Sequence, residues 1–94
     1  MARVRTPLHV KKLVTALHSG LRDAGIRAEI DTEPVEGTRL HRIYVVAPRF
    51  RVLRPSERQD LVWRIAQQVL TPGEQLRISM IMTVTRQELT GMAG

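Results

Sequence analysis

The sequence of 94 residues contains no cysteine, only three aromatic residues and no long hydrophobic run. Without cysteine the protein can form neither a disulfide nor a thiolate metal site, and a reducing compartment such as the cytoplasm is our predicted location. Because Tyr44, Phe50 and Trp63 are the only aromatic residues, the core has to be built from Leu, Val, Ile and Met. No apolar run approaches the roughly 18 residues of a membrane span, so no membrane partner is predicted.

The charge is strongly biased, with a net value of +6 and a pI of about 11.3. Lys11 and Lys12 are the only lysines among 15 basic residues, so the other 13 are arginine. This excess favours an anionic partner such as nucleic acid or an acidic protein. A solvated basic surface that reflects a GC-rich coding sequence explains the same bias. Segment 1–22 contains no acid, as in a mitochondrial presequence, but we favour a helix joined directly to a strand.

The N-terminal third of the sequence predicts a helix followed by a strand. Thr6 and Pro7 form a typical helix start, with Thr6 as the N-cap. Apolar residues recur at helical spacing over segment 7–24, and Gly25 is placed as the C-terminal stop. Apolar and charged residues then alternate over segment 26–31, which indicates a half-buried strand.

A hairpin and a second long helix are predicted in the middle of the chain. Turn residues in segment 34–38 separate the first strand from a second one over segment 40–47, and so short a connection predicts a hairpin. Pro48 ends the pairing because it has no N–H group. Ser56 and Gln59 match a capping box, which predicts that a helix with one apolar side begins at Glu57.

The last strand is predicted over segment 76–85, and we expect it to be central or well paired. Thr85 and Glu88 form another capping box, which predicts a short final turn. Segment 90–94 is predicted to be a disordered tail. One face of the last strand is predicted to carry Leu76, Ile78, Met80, Met82 and Val84.

The predicted element order is α-β-β-α-β, without an internal repeat, a linker or a low-complexity segment. We therefore predict a single α+β domain over residues 1–94. In this fold a three-stranded sheet has both long helices packed on one of its faces.

Four segments between Leu13 and Leu89 share their order and motifs with one known family. Segment 29–33 has the acidic strand end, and segment 42–50 resembles the second strand with its closing aromatic residue. Segment 58–60 occupies the position of a basic Arg-His-Arg-like triplet, and only the first arginine of that triplet is kept. Segment 83–89 is similar to the Thr-rich end of the last strand. The chain thus resembles a BolA-like protein, a family with the type II KH-like topology.

The same resemblance shows where this chain departs from the family. The family's loop glycine corresponds to Val52, and the histidine at the start of its last strand corresponds to Arg77. The Cys or His ligand of the family's hairpin loop has no counterpart in segment 34–39. The family uses those two ligand positions to share an iron–sulfur cluster with a monothiol glutaredoxin. The resemblance therefore implies that this chain does not share a cluster in that way.

The loop from Arg49 to Arg58 is the leading candidate site. A helix is predicted to begin inside it, and the unpaired N–H groups of a helix N-terminus favour an anion. In KH-like folds a loop at this place holds the nucleic-acid backbone, usually through Gly-x-x-Gly. That motif is absent here, so guanidinium groups would have to replace it, and Arg39 and Arg42 of the hairpin extend the patch. A solvated loop that Glu57 and Asp60 partly neutralise is the alternative. The arginines of the loop are Arg49, Arg51, Arg54 and Arg58.

No metal site or catalytic set can be recognised in the sequence. His9 and His18 lie nine residues apart on the first predicted helix, and neither has a partner at a ligand spacing. His41 is a candidate for a displaced ligand, but we favour an isolated surface histidine. No serine lies in a nucleophile elbow. We therefore predict a non-enzymatic protein without a cofactor.

Two hypotheses on function follow. The first is a binding module that contacts nucleic acid, or acts as a regulator, through the arginine loop. The alternative is a protein-interaction adaptor of the BolA type, with Trp63, Phe50 or a sheet edge as the contact. Phe50 is also placed to stack on a base or to close the core, and Trp63 to cover the core's edge. The residues leave the choice of DNA or RNA and the oligomeric state open.

Overall fold

Two long helices and three strands follow each other in the order that the sequence predicts. The computed structural model describes residues 6–93, and the side chains of residues 6–91. The radius of gyration, 13.3 Å, is close to that of a compact single domain of this length. The predicted α+β class is confirmed. The elements are α1 (Leu8–Asp23), β1 (Glu29–Pro34), β2 (His41–Val46), a 3₁₀-helix (Pro48–Val52), α2 (Pro55–Val69), α3 (Pro72–Gln75), β3 (Ile78–Val84) and α4 (Arg86–Ala93).

The strands form one mixed sheet in the order β1-β2-β3. β1 is antiparallel to β2, whereas β2 and β3 are parallel and are connected through α2. β2 is therefore the central strand, and β3 lies at an edge although it is paired with β2 throughout. β1 begins at Glu29, later than the predicted segment 26–31, because its pairing with β2 starts there.

α1 and α2 cover the same face of the sheet and enclose the core. Their apolar side chains recur at helical spacing and meet the inward side chains of β2, which alternate with half-buried residues. The opposite face, here called the open face, carries no long helix among residues 6–93. The buried core includes Val10, Leu13, Leu17 and Leu21 of α1, Val62, Ile65 and Ala66 of α2, and Ile43 and Val45 of β2.

β3 departs from simple alternation because its register with β2 shifts at Ser79. Beyond that bulge, Ile81 and Thr83 are buried toward the helices. Met80 and Met82 pair across from outward residues of β2 and lie on the open face of the sheet. The predicted apolar face is therefore wrong after Ser79, since one extra residue exchanges the two faces.

α1 has the predicted stop, Gly25, but its N-terminal cap differs from the prediction. The helix begins at Leu8, with Pro7 rather than Thr6 as the N-cap residue and without a side-chain cap. Gly25 ends it with a φ of +77°, a conformation that favours glycine. The N–H group of Ile26 donates to a carbonyl oxygen of the last turn at 2.8 Å, which completes the stop.

α2 begins earlier than predicted, at Pro55. The carboxylate of Glu57 accepts a hydrogen bond from the N–H group of Arg54 at 2.8 Å and closes the first turn. The predicted capping box of Ser56 and Gln59 is therefore wrong. Gln59 instead donates its amide hydrogens to β3, where a carbonyl oxygen lies 2.7 Å away.

α4 confirms one prediction and corrects another. Thr85 and Glu88 form the expected reciprocal cap, with N–H to oxygen distances of 2.8 and 3.1 Å. The helix then continues to Ala93 rather than ending in a short turn. Of the predicted tail, residues 90–93 are thus helical, and Gly94 lies outside the described residues. No helix between residues 6 and 93 has the length and apolar character needed to cross a membrane.

The contact between α1 and α2 depends on Gly20. A Cβ atom built there would lie 2.7 Å from Ile65 Cδ1 and 2.9 Å from Ile65 Cγ1. We expect Gly20→Val to lower the free energy of unfolding by about 1–3 kcal/mol in a urea titration. The control Gly91→Val adds the same side chain where no atom lies within 4 Å, and it should cost less.

Ile65→Ala tests whether the crowding is the cause. In a double-mutant cycle it should recover part of the loss caused by Gly20→Val, because it removes the atoms that a valine would meet. Strictly additive costs would contradict a direct contact between the two positions.

Candidate nucleic-acid interface

The predicted arginine loop forms the 3₁₀-helix and the first turn of α2. Phe50 is completely buried and anchors the 3₁₀-helix to the core. Arg49 and Arg51 on either side of it are exposed, as is Arg54 at the start of α2. The structure thus presents these three predicted arginines to solvent. It confirms the alternative that Phe50 closes the core, and corrects the other one, because a completely buried ring can neither stack on a base nor contact a partner.

Arg58 does not belong to this surface, since only 5% of it is exposed. Its Nε donates to the Leu53 carbonyl at 3.1 Å, and its Nη1 donates to the Thr83 carbonyl at 3.2 Å. Both terminal nitrogens donate to the Glu88 carboxylate, at 2.8 and 3.3 Å. The guanidinium carbon lies 5.7 Å from the centre of the Phe50 ring. The prediction that Arg58 contacts nucleic acid is therefore wrong, because these bonds hold it inside the molecule.

Arg39 and Arg42 lie at the other end of the sheet. The hairpin turn precedes β2 and the 3₁₀-helix follows it, so the length of a strand, about 15–20 Å, separates them. Arg42 also forms an ion pair with Glu33 at 2.6 Å, and this hydrogen bond raises its pKa. The prediction that the hairpin arginines extend the patch is wrong for this topological reason.

Arg27 and Arg86 occupy the place that was predicted for Arg39 and Arg42. Arg27 precedes β1 and Arg86 follows β3, and the sheet topology brings the start of β1 to the same end as the ends of β2 and β3. Arg86 and Pro48 line one groove with Arg27 and a second groove with Arg51. A third groove joins Arg27 to Arg22 on α1. The sequence signal is an arginine two positions from a strand end, and it identifies a shared surface only once the strand pairing is known.

We call this surface the basic end. Among the described residues, its one ion pair joins Arg86 to Glu29. The other five arginines have no carboxylate within ion-pair distance in the part of the chain that the structure describes. Their charge is therefore available to an external anion. The basic end consists of Arg22, Arg27, Arg49, Arg51, Arg54 and Arg86.

Trp63 has a hydrogen-bonded place inside the fold. Its side chain is half-buried against the core, and its Nε1 donates to Gln59 Oε1 at 3.1 Å. Gln59 in turn donates to the carbonyl of Ile81 and, at 3.1 Å, to the hydroxyl of Thr83. These bonds give Trp63 a structural role, and its contact with a partner stays a prediction.

His9 and His41 meet at the end of the sheet opposite the basic end. They are 8% and 9% exposed, and their rings stand edge to face with centroids 6.2 Å apart. His9 Nε2 and His41 Nδ1 are buried without a hydrogen-bond partner among the described residues. The expectation of an isolated surface histidine at position 41 is therefore wrong.

Burial lowers the pKa of His9, and the positive charge of Arg77 adds to this effect while Glu74 opposes it. Lys12, which forms an ion pair with Glu74 at 3.1 Å, also lowers the pKa. The described residues contain no group of three or more His, Cys, Asp or Glu residues that could hold a metal ion. The positive charges of Arg77 and Lys12, which act on His9, make this histidine pair a poor environment for a cation.

Arg58→Met should lower the free energy of unfolding by about 2–4 kcal/mol. The change leaves two backbone carbonyls without their donor and removes the partner of Glu88. Arg54→Met, at an exposed site, is the matched control and should stay within about 0.5 kcal/mol of the parent in the same denaturant titration. Equal stabilities of the two variants would contradict a structural role for Arg58.

The Arg58 bond also predicts a response to acid. Together with the Thr85 N–H group, it holds the pKa of Glu88 below the ordinary value of 4.5. Its stabilising effect is therefore present above about pH 4.5 and is lost as the pH falls through the lower folded value.

The histidine pair predicts a second loss of stability on acidification, which begins at a higher pH than the loss that involves Glu88. Since the pKa of His9 is lowered on folding, the unfolded chain binds the proton more readily. The contribution is fully present above the unfolded value of about 6.5 and is lost as the pH falls through the folded pKa. His9→Phe should flatten the dependence of Tm on pH between about 7 and 5, whereas His18→Phe at an exposed site should not. Parallel profiles for the parent and His9→Phe would refute this explanation.

No family model and no curated protein matches the chain.

Proposed function

We propose that the protein is a non-enzymatic module that binds nucleic acid through the basic end. The observation that carries this proposal is the meeting of Arg27, Arg51 and Arg86 in adjoining grooves around Pro48. Guanidinium groups match phosphate oxygens in geometry, and phosphate contacts supply most of the affinity of sequence-independent binding. Arginines spread along connected grooves suit a repeated anion such as a nucleic-acid backbone better than one small anion.

The start of α2 supports the same proposal. Arg54 precedes the helix, whose N-terminal end carries a partial positive charge. Arg49 and Arg51 project from the 3₁₀-helix directly before it. Phosphate groups are favoured at such a place because dipole and side-chain charges have the same sign.

We also propose that the chain holds a nucleic-acid backbone at the same place as the KH-like domains that it resembles. In this chain the basic loop lies between the second strand and the second long helix, where KH-like domains hold a backbone. Val52 stands where the family has glycine, and it is 68% exposed. Its side chain keeps a ligand backbone from the close approach that glycine permits, so side-chain contacts have to hold the strand. We also propose a cytoplasmic location, since a protein without cysteine needs no oxidising compartment.

This chemistry favours contact with phosphates over readout of bases. The basic end offers arginines but no exposed aromatic ring, because Phe50 is buried in the core. Stacking on aromatic side chains is a main source of affinity for single-stranded bases. The proposed binding should therefore be sensitive to salt and tolerant of sequence.

Fluorescence anisotropy with a labelled oligonucleotide of about 20 nucleotides tests the proposal. We expect Arg27→Ala/Arg51→Ala to weaken binding at least tenfold. The slope of log K against log salt concentration should fall by about 1.5, since two phosphate contacts are lost. Arg39→Ala/Arg64→Ala removes the same charge from exposed positions outside the basic end and should change binding much less.

Two outcomes of this experiment would overturn the proposal. Binding that is independent of salt would exclude phosphate contacts as its basis. Equal losses in both double variants would show that net charge, rather than the basic end, determines the affinity.

A further inference from the structure

We propose that the outer edge of β1 accepts an extended, basic peptide of another protein as an additional strand, in the groove between β1 and α1. This site lies outside the basic end and binds a different class of partner. β-strand addition obtains affinity from backbone hydrogen bonds and specificity from alternate side chains. It requires an edge strand whose outward backbone groups are unpaired, with room beside them.

The two edges of the sheet differ in this respect. At the β3 edge, Gln59 donates to the Ile81 carbonyl at 2.7 Å, and Arg58 donates to the Thr83 carbonyl at 3.2 Å. Side chains of α2 therefore occupy the acceptors that an incoming strand would use, which closes this edge. No side chain among residues 6–91 makes a comparable bond to the backbone of β1.

The register identifies which β1 groups point outward. Val35 donates to the Leu40 carbonyl at 2.9 Å, which marks a hydrogen-bonded pair just beyond the end of β1. Pairs alternate between bonded and non-bonded in an antiparallel ladder, so Ile30 and Thr32 belong to the non-bonded class. Their N–H and C=O groups face away from β2. Pro34 follows at an outward position, where the lack of an N–H group costs the sheet nothing.

A groove runs beside these outward groups. Its α1 wall includes Lys11, Val14 and Thr15, and its β1 wall is Ile30 to Thr32. Val14 and Ile30 are half-buried and form an apolar floor. An added strand would direct every second side chain toward this floor and the others toward the open face of the sheet.

The charges on the open face of the sheet indicate which kind of peptide fits the β1 edge. Glu29, Asp31 and Glu33 form an acidic row along β1, since they share one face of the strand. Glu29 and Glu33 have arginine partners, whereas Asp31 is exposed without an ion pair in the described part of the chain. A second copy paired through β1 would bring two acidic rows together, which is unfavourable. A peptide with apolar residues toward α1 and basic residues toward Asp31 complements both faces.

The test uses an acetylated peptide of alternating valine and lysine, about seven residues long. Amide hydrogen exchange is followed by NMR with and without a saturating amount of this peptide. We expect exchange of the Ile30 and Thr32 amides to slow at least tenfold, because they gain a hydrogen-bond partner. The amides of Asp31 and Glu33, which already face β2, and of Ile81 and Thr83 on β3 should not change.

Matched variants separate strand addition from simple charge attraction. Asp31→Lys should weaken peptide binding at least fivefold, whereas Glu36→Lys, the same charge change in the exposed hairpin turn, should not. A peptide methylated on alternate backbone nitrogens should lose binding if its amides pair with β1. The variant Arg27→Ala/Arg51→Ala should bind the peptide normally, so this proposal and the nucleic-acid proposal can fail independently.

Three results would overturn the inference. Protection of Ile81 and Thr83 instead of Ile30 and Thr32 would place the peptide at the wrong edge. Undiminished binding of the methylated peptide would exclude strand addition. Protected Ile30 and Thr32 amides in a dimer of the free protein would show that a second copy occupies the edge.

Discussion

The basic end of the molecule depends on the hydrogen bonds of the buried Arg58 guanidinium group. It joins the first turn of α2 to the end of β3 and, through Glu88, to α4. It also lies against the ring of Phe50, which anchors the 3₁₀-helix. These are the elements that carry Arg51, Arg54 and Arg86. An arginine that is unavailable to a ligand thus fixes the positions of those that are available.

The distribution of charge follows from the sheet rather than from any one segment. Arginines lie near the strand ends at the basic end, and carboxylates line β1 on the open face of the sheet. The two regions meet where Arg86 pairs with Glu29. A protein with a net charge of +6 therefore presents both a cationic and an anionic surface, which allows two partners of opposite charge.

The two edge strands of the sheet differ because α2 covers only one of them. Arg58 and Gln59 are adjacent in sequence, and both donate to carbonyl groups of β3. α2 therefore stabilises the parallel edge strand and at the same time blocks it. β1 receives no such cover among the described residues, although α1 runs beside it and shapes a groove. The same α+β arrangement thus contains one closed edge and one open edge.

Local patterns were sufficient for the element order, the stop at Gly25 and the cap of Thr85 with Glu88. The helix stop and the helix cap are formed by residues only a few positions apart, so a short segment of sequence is enough to predict them. The sequence pattern did not predict the register shift at Ser79, because the apolar alternation continues through it. Only the pairing with β2 reveals the extra residue. The sequence does not reveal the His9–His41 contact, because 32 positions separate two histidines that the fold brings edge to face.

The candidate site also has features that follow from the sequence and features that follow only from the tertiary structure. The sequence by itself determined that this protein is basic, rich in arginine and free of cysteine, and that arginines surround the start of its second long helix. Only the tertiary structure decided that Arg58 is internal, that Arg39 and Arg42 are remote, and that Arg27 and Arg86 belong to the site. Side-chain charge is a property of the residue, whereas burial and convergence depend on which strands pair and on which side of the sheet the helices lie.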